Sequence, residues 1–108
     1  MTERKARIGM SLEVLEELYE VVVDRRRNPV KGSYTCKLFS EGLDKILKKI
    51  GEESAELIIA GGKLDKSGIV YEAADLLYHL IVLLVYAGID LREVMYELER
   101  RRDKRGDH

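Results

Sequence analysis

Apolar residues recur at helical spacing in four stretches of this chain, and none alternates with period two over a strand's length. The first stretch runs from Ser11, a residue with N-cap chemistry, to Arg26, with Leu12, Leu15, Tyr19, Val22 and Val23 forming its stripe. Asn28-Pro29 ends it, because the residue before a proline is pushed out of the α region. A loop from Val30 to Cys36, VKGSYTC, leads to a second helix over Phe39 to Ala60. Leu43, Ile46, Leu47, Ile50, Leu57 and Ile58 are its core stripe, and Gly61-Gly62 stops it. A third helix starts at Asp65 or Ser67 and ends before Gly88. Asp90 caps a fourth, with Glu93 at the capping-box position, that runs to Arg102. The pattern predicts an all-α helical bundle of four main helices, a single domain over residues 1–108, with 1–10 and 103–108 as flexible ends.

The third stretch differs from the others. From Ile69 to Ala87 it reads IVYEAADLLYHLIVLLVYA, and Leu76, Leu77, Leu80, Ile81, Leu83, Leu84 and Val85 surround more than half of the helix. Three short companions can hardly cover that surface, so a second copy of the chain is expected to complete the bundle as a homodimer. The longest uninterrupted apolar run, Leu80 to Ala87, falls far short of the ~20 residues that span a bilayer, so no membrane is expected.

Composition narrows the picture a little. The chain has 108 residues, 36% of them charged, well above the usual ~25%. Its net charge of −1 argues against nucleic acid as a partner, despite local basic runs at Arg25 to Arg27 and Arg100 to Arg102. Cys36 is the lone cysteine, which excludes an internal disulfide and fits a reducing cytoplasm. The opening MTERKARIGM has no secretory signal pattern. The absence of Gln and a single Asn, with abundant Lys, Arg and Glu, hints at a thermophilic source.

The chemistry enters through the only carboxylates of that apolar helix, Glu72 and Asp75. An unpaired ion away from water costs several kcal/mol, so such groups need a partner. At ~100° per residue they lie ~60° apart, with His79 between them. Glu53 and Glu56 are equally spaced on the second helix, with Glu52 beside Glu56 and Lys49 one turn before Glu53. Two such pairs facing one another offer oxygen donors to a hard cation, Mg²⁺ or Mn²⁺, and a cation among carboxylates points to phosphate chemistry. The plainer alternative is a solvated face in which Glu52, Glu53 and Glu56 pair with Lys48 and Lys49. A di-iron bundle is disfavoured, since it wants Glu-x-x-His on two helices and the residue three after Glu72 is Asp75. A lone His on a mostly apolar helix is more often structural than catalytic, Cys36 reads as a packing residue, and Tyr71, Tyr78 and Tyr86 read as packing or subunit-interface residues.

Glu53-x-x-Glu56 followed by Glu72-x-x-Asp75 resembles the signature of the all-α MazG-like nucleoside triphosphate pyrophosphohydrolases. Taken with Gly32-Ser33-Tyr34-Thr35, Lys37-Leu38-Phe39, Lys48-Lys49-Ile50-Gly51-Glu52-Glu53 and EAADLLYHL from Glu72 to Leu80, the chain resembles the phosphoribosyl-ATP pyrophosphatase family from about Leu12 to Glu99. The resemblance implies Mg²⁺-dependent hydrolysis of phosphoribosyl-ATP to phosphoribosyl-AMP and pyrophosphate, the second step of histidine biosynthesis. It also implies a form separate from the cyclohydrolase of the next step. Glu53, Glu56, Glu72 and Asp75 would hold the metal, and Glu52 would orient the attacking water. Lys49, Lys48 and Lys37 would meet the phosphates, and Ser33, Tyr34 and Thr35 would offer hydroxyls and amides, unless Ser33 or Thr35 merely caps the next helix. A MazG-like enzyme for another (d)NTP and a non-catalytic helical dimerisation module are the competing readings.

Overall fold

The computed structural model describes the backbone of residues 2–105 and the side chains of residues 12–102. Five helices follow in order: α1 (Thr2–Arg27), α2 (Tyr34–Glu41), α3 (Leu43–Gly62), α4 (Lys66–Tyr86) and α5 (Leu91–Arg105), with no strand among the described residues. The all-α expectation is borne out, with corrections to its boundaries. The helix α1 begins at Thr2, so Ser11 lies within it and does not start it. The expectation of flexible ends falls largely on side chains, and at 1 and 106–108 on backbone, outside the described residues.

The second expected helix is two helices. Ser33 accepts a hydrogen bond from the Cys36 N–H at 3.2 Å and starts α2 at Tyr34, five residues before Phe39 and within the expected loop. Gly42 then breaks the chain at φ +94°, a conformation that costs a residue with a Cβ but not glycine. A glycine within an apolar stripe does not reveal which conformation it takes, so the break was hidden in the pattern. The other caps lie where the sequence places them. Asp65 accepts from the Gly68 N–H, and Glu93 accepts from the Asp90 N–H at 3.0 Å.

The buried core is Val22, Leu38, Ile46, Ile81, Val82 and Val85, drawn from α1 to α4. α4 packs most extensively on α3 and also on α1, while α2 bridges α1 and α3. Arg26 fixes the end of α4: its guanidinium donates to the carbonyls of Val85 (2.6 Å) and Tyr86 (2.8 Å) and stacks on the Tyr86 ring. That is a cationic C-cap supplied from another helix. The Tyr19 hydroxyl likewise donates to the Ile89 carbonyl at 3.1 Å.

By length and composition, the whole of α4 is apolar enough to cross a membrane, so the shortness of the Leu80–Ala87 run does not decide the matter. What marks α4 as a bundle helix is its packing against α3 and α1. Its other side is uncovered: Val70, Tyr71, Leu77 and Leu80 are exposed, as are Ile58 and Ile59 on α3.

Candidate functional site

The contact between α3 and α4 brings the two acidic pairs together. Glu53 is 4% exposed and sits at the junction of two groups. Donor atoms of Glu53, Glu56 and Glu72 lie within 4.8 Å of one another, and so do those of Glu53, Asp75 and His79. The i,i+3 spacing puts each pair on one helical face, and helix packing turns the faces together. Lys49 is the one cation bonded to the cluster among the described residues, its Nζ 3.2 Å from Glu53 Oε1.

One lysine does not balance this charge. Glu53 Oε2 and Glu72 Oε1 are buried with no hydrogen-bond partner, a costly arrangement for carboxylate oxygens. Burial and the neighbouring Glu56 carboxylate push the Glu72 pKa up. Burial and the contact with Glu53 push Asp75 up as well. Burial also acts against ionised Glu53, but hydrogen bonds from Asp75 and Lys49 outweigh it and hold Glu53 below the usual range. The Glu53 bond in turn raises Lys49. Four carboxyls on two helices, with two buried oxygens left without a donor, are a donor set suited to a hard divalent cation.

His79 is 2% exposed and both ring nitrogens are engaged. Nδ1 lies 2.8 Å from the Asp75 carbonyl oxygen and 3.7 Å from Asp75 Oδ1, while Nε2 lies 3.1 Å from the Tyr34 hydroxyl. The network assigns the proton to Nδ1, which donates to that carbonyl, and lets Nε2 accept from Tyr34. This favours the structural reading of His79. Tyr34 stacks on Tyr78, whose hydroxyl is hydrogen-bonded to Thr35. Burial raises both phenols, which keeps them protonated.

The remaining expected site residues divide. The hydroxyls of Ser33, Tyr34 and Thr35 each have an internal partner, so this segment is the opening turn of α2 and not a loop of free donors. Ser33 is the cap and Thr35 is not. Glu52 and Lys48 are exposed, outside the acidic cluster, and without a hydrogen bond or ion pair among the described residues. Lys37 lines a cleft of about 750 Å³ between the end of α1 and α2, together with Arg25, Arg26, Ser33, Tyr34 and Phe39. Sequence reasoning did not place Arg25 there. Its signal was the basic run just before Pro29, where the chain must turn back on itself.

The model of the family described as "Phosphoribosyl-ATP pyrophosphohydrolase" matches residues 15–102. The "Histidine biosynthesis bifunctional protein HisIE" of Pyrococcus furiosus is 54% identical over 100 residues, 93% of this chain and 46% of that protein. The "Phosphoribosyl-ATP pyrophosphatase" of Lactiplantibacillus plantarum is 50% identical over 94 residues, 87% of this chain and 89% of that protein. That of Pelotomaculum thermopropionicum is 50% identical over 93 residues, covering 86% and 95%. The chain thus spans just under half the length of its bifunctional relatives and most of the length of the pyrophosphatases. The match runs through both acidic pairs and the helices that carry them, and the chain belongs to the phosphoribosyl-ATP pyrophosphohydrolase family.

Proposed function

We propose that this chain hydrolyses phosphoribosyl-ATP to phosphoribosyl-AMP and pyrophosphate in histidine biosynthesis, using Mg²⁺, or Mn²⁺ in its place. The observation that carries the reading is the convergence of Glu53, Glu56, Glu72 and Asp75 with two buried oxygens left without a donor. The family membership supplies the substrate. The relatives named as phosphoribosyl-ATP pyrophosphatases support phosphoribosyl-ATP over another (d)NTP.

In this reading Glu53, Glu56, Glu72 and Asp75 hold the metal. Mg²⁺ bound there would neutralise charge on the phosphate oxygens and on the departing pyrophosphate. The chain's own residues do the rest. Lys49 keeps Glu53 ionised and oriented through its 3.2 Å contact, and spare ammonium donors remain for a phosphate. Lys48, exposed on the same helix, adds charge at the approach to the cluster. Tyr34, from α2, holds His79, which is bonded to the Asp75 carbonyl one turn earlier in the middle of α4. Glu52, exposed and free of partners among the described residues, orients the attacking water and takes its proton. Water adds across the α–β anhydride: one P–O bond forms, the bridging bond breaks, and pyrophosphate leaves.

In this reading the chain works in the cytoplasm, as a homodimer. The uncovered apolar side chains of α3 and α4 support that assembly, because soluble monomers rarely expose large apolar patches. A stable monomer at micromolar concentration in analytical ultracentrifugation contradicts it.

Pyrophosphate release from phosphoribosyl-ATP and from dNTPs, with and without Mg²⁺, tests the function. The expected result is release from phosphoribosyl-ATP in Mg²⁺ alone. Preference for a dNTP, or equal rates in chelator, overturns it.

A further inference from the structure

The reaction proposed above consumes only the triphosphate end of its substrate. Phosphoribosyl-ATP also carries a separate phosphate, on a second ribose attached to its adenine ring, and ATP lacks both. The acidic cluster repels a phosphate that brings no cation with it, so that separate phosphate requires a different, cationic place.

The cleft between α1 and α2 has that chemistry. Its volume of about 750 Å³ accommodates a sugar phosphate, and Arg25 and Lys37 are on its wall. Arg26 is also there, but its guanidinium is committed to the carbonyls of Val85 and Tyr86. Among the described residues the Arg25 side chain has only Asp24 at 3.2 Å, a solvent-exposed pair that contributes little and can be exchanged for a phosphate. Lys37 has no ion pair or hydrogen bond among the described residues through its side chain. At the start of α2 the Cys36 and Lys37 N–H groups are bonded to Ser33, while those of Tyr34 and Thr35 have no acceptor among the described residues.

Position adds to chemistry. Tyr34 lines the cleft, and its hydroxyl reaches His79, whose ring joins the cluster with Glu53 and Asp75. A basic cleft and an acidic cluster therefore stand one tyrosine ring apart, suited to a long ligand with an anionic group at each end.

We propose that Arg25 and Lys37 bind the phosphoribosyl phosphate of the substrate and set the preference for phosphoribosyl-ATP over ATP. This assignment rests on the reading above for the substrate's name. It gives Lys37 a phosphate distinct from the triphosphate and adds Arg25 to the binding residues.

The test compares the full chain with Arg25→Met and Lys37→Met. Each variant is expected to raise KM for phosphoribosyl-ATP about 10- to 100-fold, the range for losing a charged hydrogen bond, with kcat nearly unchanged. Inhibition by ATP should stay as in the parent chain. An equal weakening toward ATP overturns the proposal, because the cations then serve the triphosphate; so does an unchanged KM. Ribose 5-phosphate, titrated by calorimetry, separates this proposal from the functional reading. Binding by the parent chain and its loss in Arg25→Met support the cleft even if phosphoribosyl-ATP is not hydrolysed. Equal binding by both, or none by the parent chain, overturns it.

Discussion

The carboxylates of α5 and those between α3 and α4 receive opposite treatment from the same chain. On α5, Glu97 accepts from Arg100 at 2.5 Å and Arg101 at 3.0 Å, and Glu99 from Arg102 at 2.7 Å. Those arginines hold the Glu97 carboxyl down at about 2, and every group involved is in contact with water. Between α3 and α4, four carboxyls share one lysine, two oxygens have no donor, and Glu72 and Asp75 are pushed up. The α5 charges are resolved locally by partners three and four residues away. Among the described residues the α3–α4 carboxyls have one lysine, paired with Glu53, which supports a balancing cation from outside. Density of acidic residues does not make a site; lack of a local counter-charge does.

The largest effect expected from breaking this contrast is on turnover. Glu53→Gln or Asp75→Asn should lower pyrophosphate release by on the order of 10²-fold or more, since even outer partners of a metal ligand matter 10- to 100-fold. Near-native circular dichroism would show that the fold is intact, and full activity in either variant would refute the ligand roles. Glu52→Gln should lower the rate while Mg²⁺ still raises the melting temperature; loss of that stabilisation would make Glu52 a ligand instead.

Next in size is an inversion of the usual effect of mutation. Glu72→Gln removes one member of a crowded set, so in chelator it should melt higher than the parent chain. With excess Mg²⁺ the order should reverse. A variant that melts lower in both conditions would mean that Glu72 already has a stabilising partner.

The pH dependence follows from the directions of the shifts. Glu72 and Asp75 titrate above their unfolded values, so the folded chain holds protons that the unfolded chain has released. Stability in chelator should therefore rise as pH falls through their raised folded values toward the ordinary carboxylate range. Glu53 and Glu97 are depressed, so their contribution is present above the ordinary carboxylate range and is lost as pH falls through their lower folded values. A melting-temperature profile in chelator with its maximum in the mildly acidic range is the expected result, and saturating Mg²⁺ should remove the acid-side gain. A profile that falls steadily from neutral pH would contradict the crowding. The smallest effect belongs to the other side of the comparison. Glu97→Gln should leave turnover unchanged and move the melting temperature no more than repeat scans differ.

Much of this contrast was legible in the sequence. The spacing of Glu53 with Glu56 and of Glu72 with Asp75 puts each pair on one face whatever the tertiary structure, and the apolar run around Glu72 and Asp75 argues against ordinary solvation of that pair. The family resemblance, carried by those pairs and the flanking segments, is borne out by the match over residues 15–102. What was hidden depends on backbone conformation or distant contact. The left-handed Gly42 that separates α2 from α3 looks like any helix-interior glycine. The capping of α4 by Arg26 joins positions about 60 residues apart, and the placement of Arg25 on the cleft needs the turn after Pro29. The sequence offers the Ser33-Tyr34-Thr35 hydroxyls to a ligand as part of a turn-rich loop, or Ser33 or Thr35 to the next helix as its cap. Once α2 begins at Tyr34, helix packing supplies their partners.

The central claim is that Glu53 joins the acidic pairs of two helices into a divalent cation site. Calorimetric titration of Mn²⁺ or Mg²⁺ into the parent chain and into Glu53→Gln tests it most directly. The account predicts saturable binding by the parent chain, with proton release as Asp75 and Glu72 ionise, and loss of binding in the variant. Undiminished binding by Glu53→Gln, or no binding by the parent chain, would contradict it.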